Sequence, residues 1–219
     1  MTRKGLLAIV LALAILTLAA PARAAGTLGG RTVALDPGHS ESNCDTGAQN
    51  TVGGTTIYEK DVNWEVVVAT EAKLQALGAT VVVLRGQDEC VDRSVRYQRA
   101  ANAGAQVLLS VHHNGSSDPT VNYTITYYTQ KSDQKIAKLA QQHLVARLGF
   151  ADRGTSRSGF GITVRPKMPS ALTEAWFLTN DQLAGQYLEE QSLGHPAGSL
   201  VDREAQGLTD AVVAYFAAR

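Results

Sequence analysis

Hydrophobic positions along this chain fall into short runs and longer stripes, and the two spacings predict different elements. Thr32-Val33-Ala34-Leu35 is a brief apolar run closed by Asp36-Pro37-Gly38, which reads as a buried strand ended by turn residues. Residues 40–56 are polar and dotted with glycine, so they predict a loop. Helical spacing follows: Val62, Val66, Ala69 and Leu77 share a face, and Gly78 stands where a C-terminal cap belongs. Thr80 to Leu84 predicts a strand, Arg93 to Ala103 a helix, Val107 to Val111 a strand and Tyr123 to Thr129 another. Ile136, Leu139, Ala140, Leu144 and Leu148 make one stripe on a helix from Asp133 to Leu148. Residues 151–160 predict a loop, Gly161–Val164 and Ala171–Phe177 two strands, and 181–190 and 202–217 two helices. Strands alternating with helices in this way imply an α/β fold. The expected form is a single layered domain, with a largely parallel twisted mixed sheet flanked by helices on both faces.

The first 24 residues stand apart. Arg3 and Lys4 precede an apolar run from Leu6 to Ala20, broken only by Thr17, and Ala22-Arg23-Ala24 is a small-residue cleavage site. That layout predicts a signal peptide over 1–24, removed on export to the periplasm, cell wall or exterior. A glycine-rich stretch at 25–30 is expected to be a flexible joint, and 31–219 the functional domain. Cleavage removes three basic residues and no acid, so 20 Lys and Arg become 17 against 20 Asp and Glu. A net charge of −3 argues against nucleic acid as a partner. No membrane contact is expected after cleavage. Nothing in the pattern suggests a dimer stripe, and a monomer is the expectation.

Cys44 and Cys90 form an even pair in a chain predicted to be exported, which suggests one disulfide. Two free thiols or a metal clip are the alternatives, and the 46-residue spacing without CxxC makes a poor zinc clip.

Ligands of open α/β sheets sit beyond the carboxyl ends of the strands. His39 follows the first strand, His112 closes the third, Glu174 lies in the late strand segment, and Glu59 opens the first helix. Two histidines and a carboxylate with a position left for water are what catalytic zinc needs, and a further glutamate would move protons. The residue types are present; whether they converge is a tertiary question.

Four phrases in order sharpen this reading: Val33-Ala34-Leu35-Asp36-Pro37-Gly38-His39, Glu59-Lys60-Asp61, Ser110-Val111-His112-His113-Asn114 and Glu174-Ala175-Trp176-Phe177-Leu178-Thr179-Asn180. Together they resemble the zinc-dependent N-acetylmuramoyl-L-alanine amidases of the amidase-3 family, in particular small secreted actinobacterial members. Val81 to Arg85, and Arg96 before Ala101-Asn102, match that pattern too. The resemblance spans about residues 31–217. It implies one zinc ion held by His39, Glu59 and His112, Glu174 as the catalytic glutamate, and cleavage of the amide between N-acetylmuramic acid and L-alanine in peptidoglycan or soluble muropeptides. It also implies a bridge tying the loop after His39 to the segment after Arg85. No inserted helix that would plug the site fits between His112 and Glu174.

Some positions stay open at this level. His113, Asp36 and Asn114 are expected in the substrate groove or behind the metal ligands, Asp36 alternatively as a turn cap. Trp176 replaces a residue that is usually small in the family, so it either narrows the groove or fills core. Arg153, Arg157 and Arg165 either meet stem-peptide carboxylates or sit in solvent, and His195 either contacts the groove or lies in a loop. His143 is expected at a helix flank, with Tyr58 and Trp64 packing beside Glu59. Two other functions compete. One is a different exported zinc peptidase or carboxypeptidase, although HExxH is absent; the other is a non-catalytic wall-binding protein on an amidase scaffold.

Overall fold

A computed structural model of the protein describes residues 27–41, 43–159 and 161–217. The expected signal peptide at 1–24 lies outside the described residues. Of the joint expected at 25–30, residues 27–30 form a turn in which Leu28 is buried and donates its N–H to the Leu77 carbonyl. That stretch is therefore tied to the core.

Six strands make the main sheet: β1 (Thr32–Pro37), β4 (Thr80–Val83), β5 (Val107–Asn114), β6 (Thr124–Tyr128), β7 (Asp152–Arg157) and β8 (Ser170–Phe177). A hairpin of β2 (Gln49–Val52) and β3 (Thr55–Tyr58) stands beside it. The helices are α1 (Glu59–Ala76), α2 (Arg93–Asn102), α3 (Gln134–Leu148), α4 (Asp181–Ser192) and α5 (Leu200–Ala217). The sheet order is β4-β1-β5-β8-β6-β7, with the first four parallel and the β6–β7 pair running against them. This is the largely parallel mixed sheet that the alternating pattern implies.

Burial explains the layers. Alternate strand residues face opposite sides, so Val33, Leu35, Val107, Leu109 and Val111 join a core with α1, α3, α4 and α5. Ala34 and Leu108 face the other way, onto Ala100 of α2 and onto Ile162. β8 lies between β5 and β6 and is buried along its whole length, its polar Ser170, Thr173 and Glu174 included. Helix α1 starts where Glu59 and Asp61 meet the positive end of the dipole. It stops at Gly78, whose φ of 91° lets Ala79 N–H return to the Leu74 carbonyl.

β1 sits inside the sheet, so the chain crosses to β4 on one side and then to β5 on the other. The strand order reverses there, leaving a crevice between the carboxyl ends of β1 and β5. His39 and His112 stand at that crevice.

Three local expectations are corrected. The 40–56 loop contains β2 and the turn into β3, closed by Gly53 and Gly54 at φ 58° and 83°, a two-residue turn that glycine makes possible. The 151–160 loop carries edge strand β7, whose Asp152-Arg153-Gly154-Thr155-Ser156-Arg157 has no apolar alternation and is held by pairing with β6. Gly161–Val164 is a short 3-10 turn; four apolar residues do not by themselves distinguish strand from turn, and Ile162 is buried from this conformation.

Candidate metal centre

The turn after β1 is shaped by two buried guanidinium groups. Arg85 donates to the carbonyls of Pro37, Gly38 and Lys60 at 2.8–3.0 Å, and Arg96 to those of Pro37, His39, Ser40 and Val91. Burial and the neighbouring Arg96 pull the Arg85 guanidinium down to about 10. Gathering so many carbonyls bends the chain sharply, and His39 and Ser40 take φ values of 64° and 55°. Such left-handed positions cost on the order of 1–3 kcal/mol each for residues with a Cβ and are found where function requires them.

That bend aims His39 at Glu59. His39 Nε2 lies 2.8 Å from Glu59 Oε2, and His112 Nδ1 lies 3.1 Å from Glu59 Oε1. One donor atom from each of the three falls within 4.8 Å of the others. Two imidazoles and a carboxylate suit a borderline-soft divalent cation, so the residues present fit a metal. Ala48 N–H and His113 N–H hold the Glu59 oxygens at 2.8 and 3.0 Å. Asp45 accepts from His39 Nδ1 at 2.5 Å, which leaves Nε2 facing the centre.

Charge follows from this geometry. Burial pulls the His39 imidazolium down, but the carboxylates of Glu59 and Asp45 outweigh it and hold it up at about 9. Burial pushes Glu59 up, yet hydrogen bonds from His112 and His39 keep it well below the usual carboxylate range. The centre attracts positive charge.

Two glycines leave the room. A Cβ on Gly38 would lie 2.3 Å from His112 Cε1 and Nε2, and one on Gly47 would lie 2.5 Å from Glu59 Oε2. The Cys44–Cys90 disulfide, with Cα atoms 5.1 Å apart, ties the Asp45 loop to the segment before α2 as the sequence suggested.

Glu174 pairs with His112 across parallel strands β5 and β8, so the two share a face. It is 8% exposed, and its Oε2 is buried without a hydrogen-bond partner. Burial raises its pKa well above the usual carboxylate value, with the negative charge of Glu59 adding to the effect. Directly beyond Glu174 the β5–β8 register shifts at a bulge. The strand turns there, and Trp176 is fully buried in the main core. The bulky ring therefore fills core and does not narrow the groove.

The positions left open fall as follows. His113 lies behind the Glu59 carboxylate and not in a groove: it points away from His112 into the core, where it meets Asn63, Glu204 and the Trp176 ring. Asp36 bonds no histidine; it takes Arg96 at 2.9 Å and Ser110 Oγ at 2.6 Å, and so braces the bend from behind. Asn114 accepts from its neighbour's Gly115 N–H, a local turn bond. His195 meets Glu65 at 2.8 Å. Arg153 lies over the Tyr123 ring and Arg157 donates to the Thr129 carbonyl. Arg165 lines a pocket of about 330 Å³ with Arg93 and Tyr97. Asp45 and Asn63 were missed; Asn63 is four residues past Glu59 on α1, a spacing that places them on one face.

With this geometry in view, comparison with known proteins is informative. A family model described as N-acetylmuramoyl-L-alanine amidase matches residues 33–194. The N-acetylmuramoyl-L-alanine amidase LytC of Bacillus subtilis is 32% identical over 191 residues, covering 85% of this chain but 36% of that protein. The probable cell wall amidase LytH of Staphylococcus aureus is 25% identical over 171 residues, 74% of this chain and 56% of that one. The chain thus spans about a third to just over half of these relatives. Among solved structures, an N-acetylmuramoyl-L-alanine amidase from Clostridium difficile 630 superimposes with a TM-score of 0.72. It is 29% identical, over 86% of this chain and 98% of that one.

Proposed function

This chain belongs to the N-acetylmuramoyl-L-alanine amidase family, and from that premise we propose that it is an exported zinc hydrolase that cuts the amide between N-acetylmuramic acid and L-alanine of the peptidoglycan stem. The observation that carries the reading is the meeting of His39, Glu59 and His112 within 4.8 Å, one strand away from a buried carboxylate with an unpartnered oxygen. His39, Glu59 and His112 would hold one zinc ion, which when bound supplies the Lewis acidity that polarises the amide carbonyl and sharpens a water nucleophile. Glu174 takes the proton that the attacking water loses. It returns that proton to the alanine nitrogen as the carbon–nitrogen bond breaks, leaving a lactyl carboxylate and a free amine. A carboxylate held out of water, near another negative charge, binds a proton readily enough for this exchange. Asp45 keeps His39 in one tautomer, and the Arg85 and Arg96 carbonyl clamps hold the bend that presents it. The leader at 1–24 supports delivery to the wall, as does the relative described as a cell wall amidase.

The test is digestion of purified peptidoglycan by the wild type and by Glu174→Ala, each with zinc or with a chelator, and mass analysis of the fragments. Zinc-dependent release of intact stem peptides with a free N-terminal alanine is expected from the wild type alone. Release of single amino acids would point instead to a wall peptidase, and digestion unaffected by chelator would end the zinc reading.

A further inference from the structure

Behind His112, on the opposite side of β5, runs a buried polar chain that hydrolysis as just described does not use. Trp176, His113, Asn63 and Glu204 are each 0–1% exposed. Polar side chains buried in an apolar core are costly unless paired, and here each meets the next. Trp176 Nε1 donates to Glu204 Oε2 at 3.1 Å, and His113 Nε2 meets the same oxygen at 3.0 Å. His113 Nδ1 meets Asn63 Oδ1 at 2.7 Å. Asn63 Nδ2 then reaches the Gly38 carbonyl at 3.3 Å and Glu59 Oε1 at 3.5 Å.

The direction of the bonds that Asn63 makes is determined. A backbone carbonyl and an ionised carboxylate can only accept, so Asn63 must turn its amide nitrogen to them and its oxygen to the imidazole. His113 therefore donates from Nδ1, and its Nε2 is left for Glu204. His113 also gives its backbone N–H to Glu59 Oε1 at 3.0 Å. One residue thus anchors Glu59 twice, directly through its main chain and through Asn63 by its ring.

The chain is poorly arranged for stability alone. Glu204 Oε1 is buried with no partner, and well-packed apolar residues commonly match or exceed a buried ionic pair. Groups that orient the outer side of metal ligands are the recurrent exception, because they set how the ligands point. We propose that Glu204, His113 and Asn63 form a positioning chain that orients the Glu59 carboxylate, and so sets the metal affinity and ligand field of the centre from the last helix of the fold. This rests on the reading of His39, Glu59 and His112 as metal ligands.

The test titrates cobalt(II) into the metal-free, full-length folded protein, following the visible ligand-field bands, for wild type, Glu204→Leu, Asn63→Ala, Glu204→Gln and the Glu204→Leu/Asn63→Ala pair. Glu204→Leu and Asn63→Ala should each weaken binding about 10–100-fold and shift the bands. In Glu204→Gln the amide oxygen takes the Oε2 position that both Trp176 and His113 meet, so the link is kept and affinity should stay within roughly fivefold of wild type. Because the influence of Glu204 passes through Asn63, the pair should be no weaker than Asn63→Ala alone. A purely structural role would lower the melting temperature and leave cobalt affinity and bands of the folded protein unchanged, which would overturn the proposal; so would additive losses in the pair. If Glu204→Leu does not fold, Asn63→Ala decides, and wild-type affinity there overturns the chain. Wild type that takes up no cobalt would instead overturn the metal centre itself.

Discussion

Gly38→Ala isolates the geometry of His112, one of the three proposed metal ligands, from the stability of the fold. The added methyl would stand 2.3 Å from His112 Cε1 and Nε2, whereas ordinary contact begins at 3.4 Å, so one side must give by 1.1 Å. The backbone cannot move easily. Gly38 N–H donates to the Val111 carbonyl at 2.9 Å, and the Gly38 carbonyl accepts from Arg85 and Asn63. The imidazole must therefore leave the position in which its Nδ1 stands 3.1 Å from Glu59 and its ring lies edge-on to His39, with centroids 4.8 Å apart. Metal–ligand distances tolerate about 0.2 Å, so a displacement several times larger amounts to loss of one of three ligands. Zinc affinity should fall by roughly 100-fold or more, beyond the range seen when only an outer partner is removed. The fold should lose only the about 1–3 kcal/mol typical of local overpacking. Competition with a chromophoric chelator measures the first quantity and thermal unfolding of the metal-free protein the second. Gly185→Ala is the control, because its Cβ would meet nothing nearer than Val52 at 3.9 Å. Zinc binding by Gly38→Ala within threefold of wild type would show that His112 is not held where this geometry requires.

Glu174→Gln should retain zinc while kcat on peptidoglycan drops about 10²–10⁴-fold, the usual contribution of a general acid–base; unchanged turnover would remove Glu174 from the mechanism. The same variant carries a pH signature in metal-free protein. Because the folded state raises the Glu174 pKa above its ordinary 4.5, wild-type stability falls as pH rises from that value toward the folded one. Urea unfolding should find Glu174→Gln gaining on wild type over that window, by up to about 1.4 kcal/mol per pH unit for one proton, and parallel curves would contradict the shift. Reducing the Cys44–Cys90 bridge, which closes a separation of 46 residues, should cost about 4 kcal/mol by loop entropy and lower the melting temperature; an unmoved transition would count against it. Arg96→Met leaves Asp36 as a buried unpaired charge, so urea denaturation should show a loss of about 3–5 kcal/mol, and a loss under 1 kcal/mol would mean that the pair contributes little.

Much of the α/β order was readable from spacing, because apolar runs of four to eight residues and helical stripes are local properties of the chain. The strands and helices around β1, α1, β5, α3 and β8 appear where the pattern places them. Strand β7 was not readable, since an edge strand with a polar sequence is held by its neighbour's hydrogen bonds and not by its own side chains. The four residues singled out for chemistry, His39, Glu59, His112 and Glu174, are brought together. Asp45 was invisible because its role depends on how a glycine-dotted loop folds back on His39.

By itself the sequence determined the kinds of donor available and the α/β class, which follow from residue type and periodicity; for Cys44 and Cys90 it suggested a bridge, which the structure shows. Which way each side chain faces was decided only in three dimensions. His112 and His113 are chemically alike and adjacent, and strand alternation sends one to Glu59 and the other to Glu204. Glu174 and Trp176 are two residues apart, and a single bulge in β8 leaves the carboxylate facing the centre while the indole enters the core. Such outcomes depend on strand register and partner, which link residues distant along the chain and leave no local trace in it.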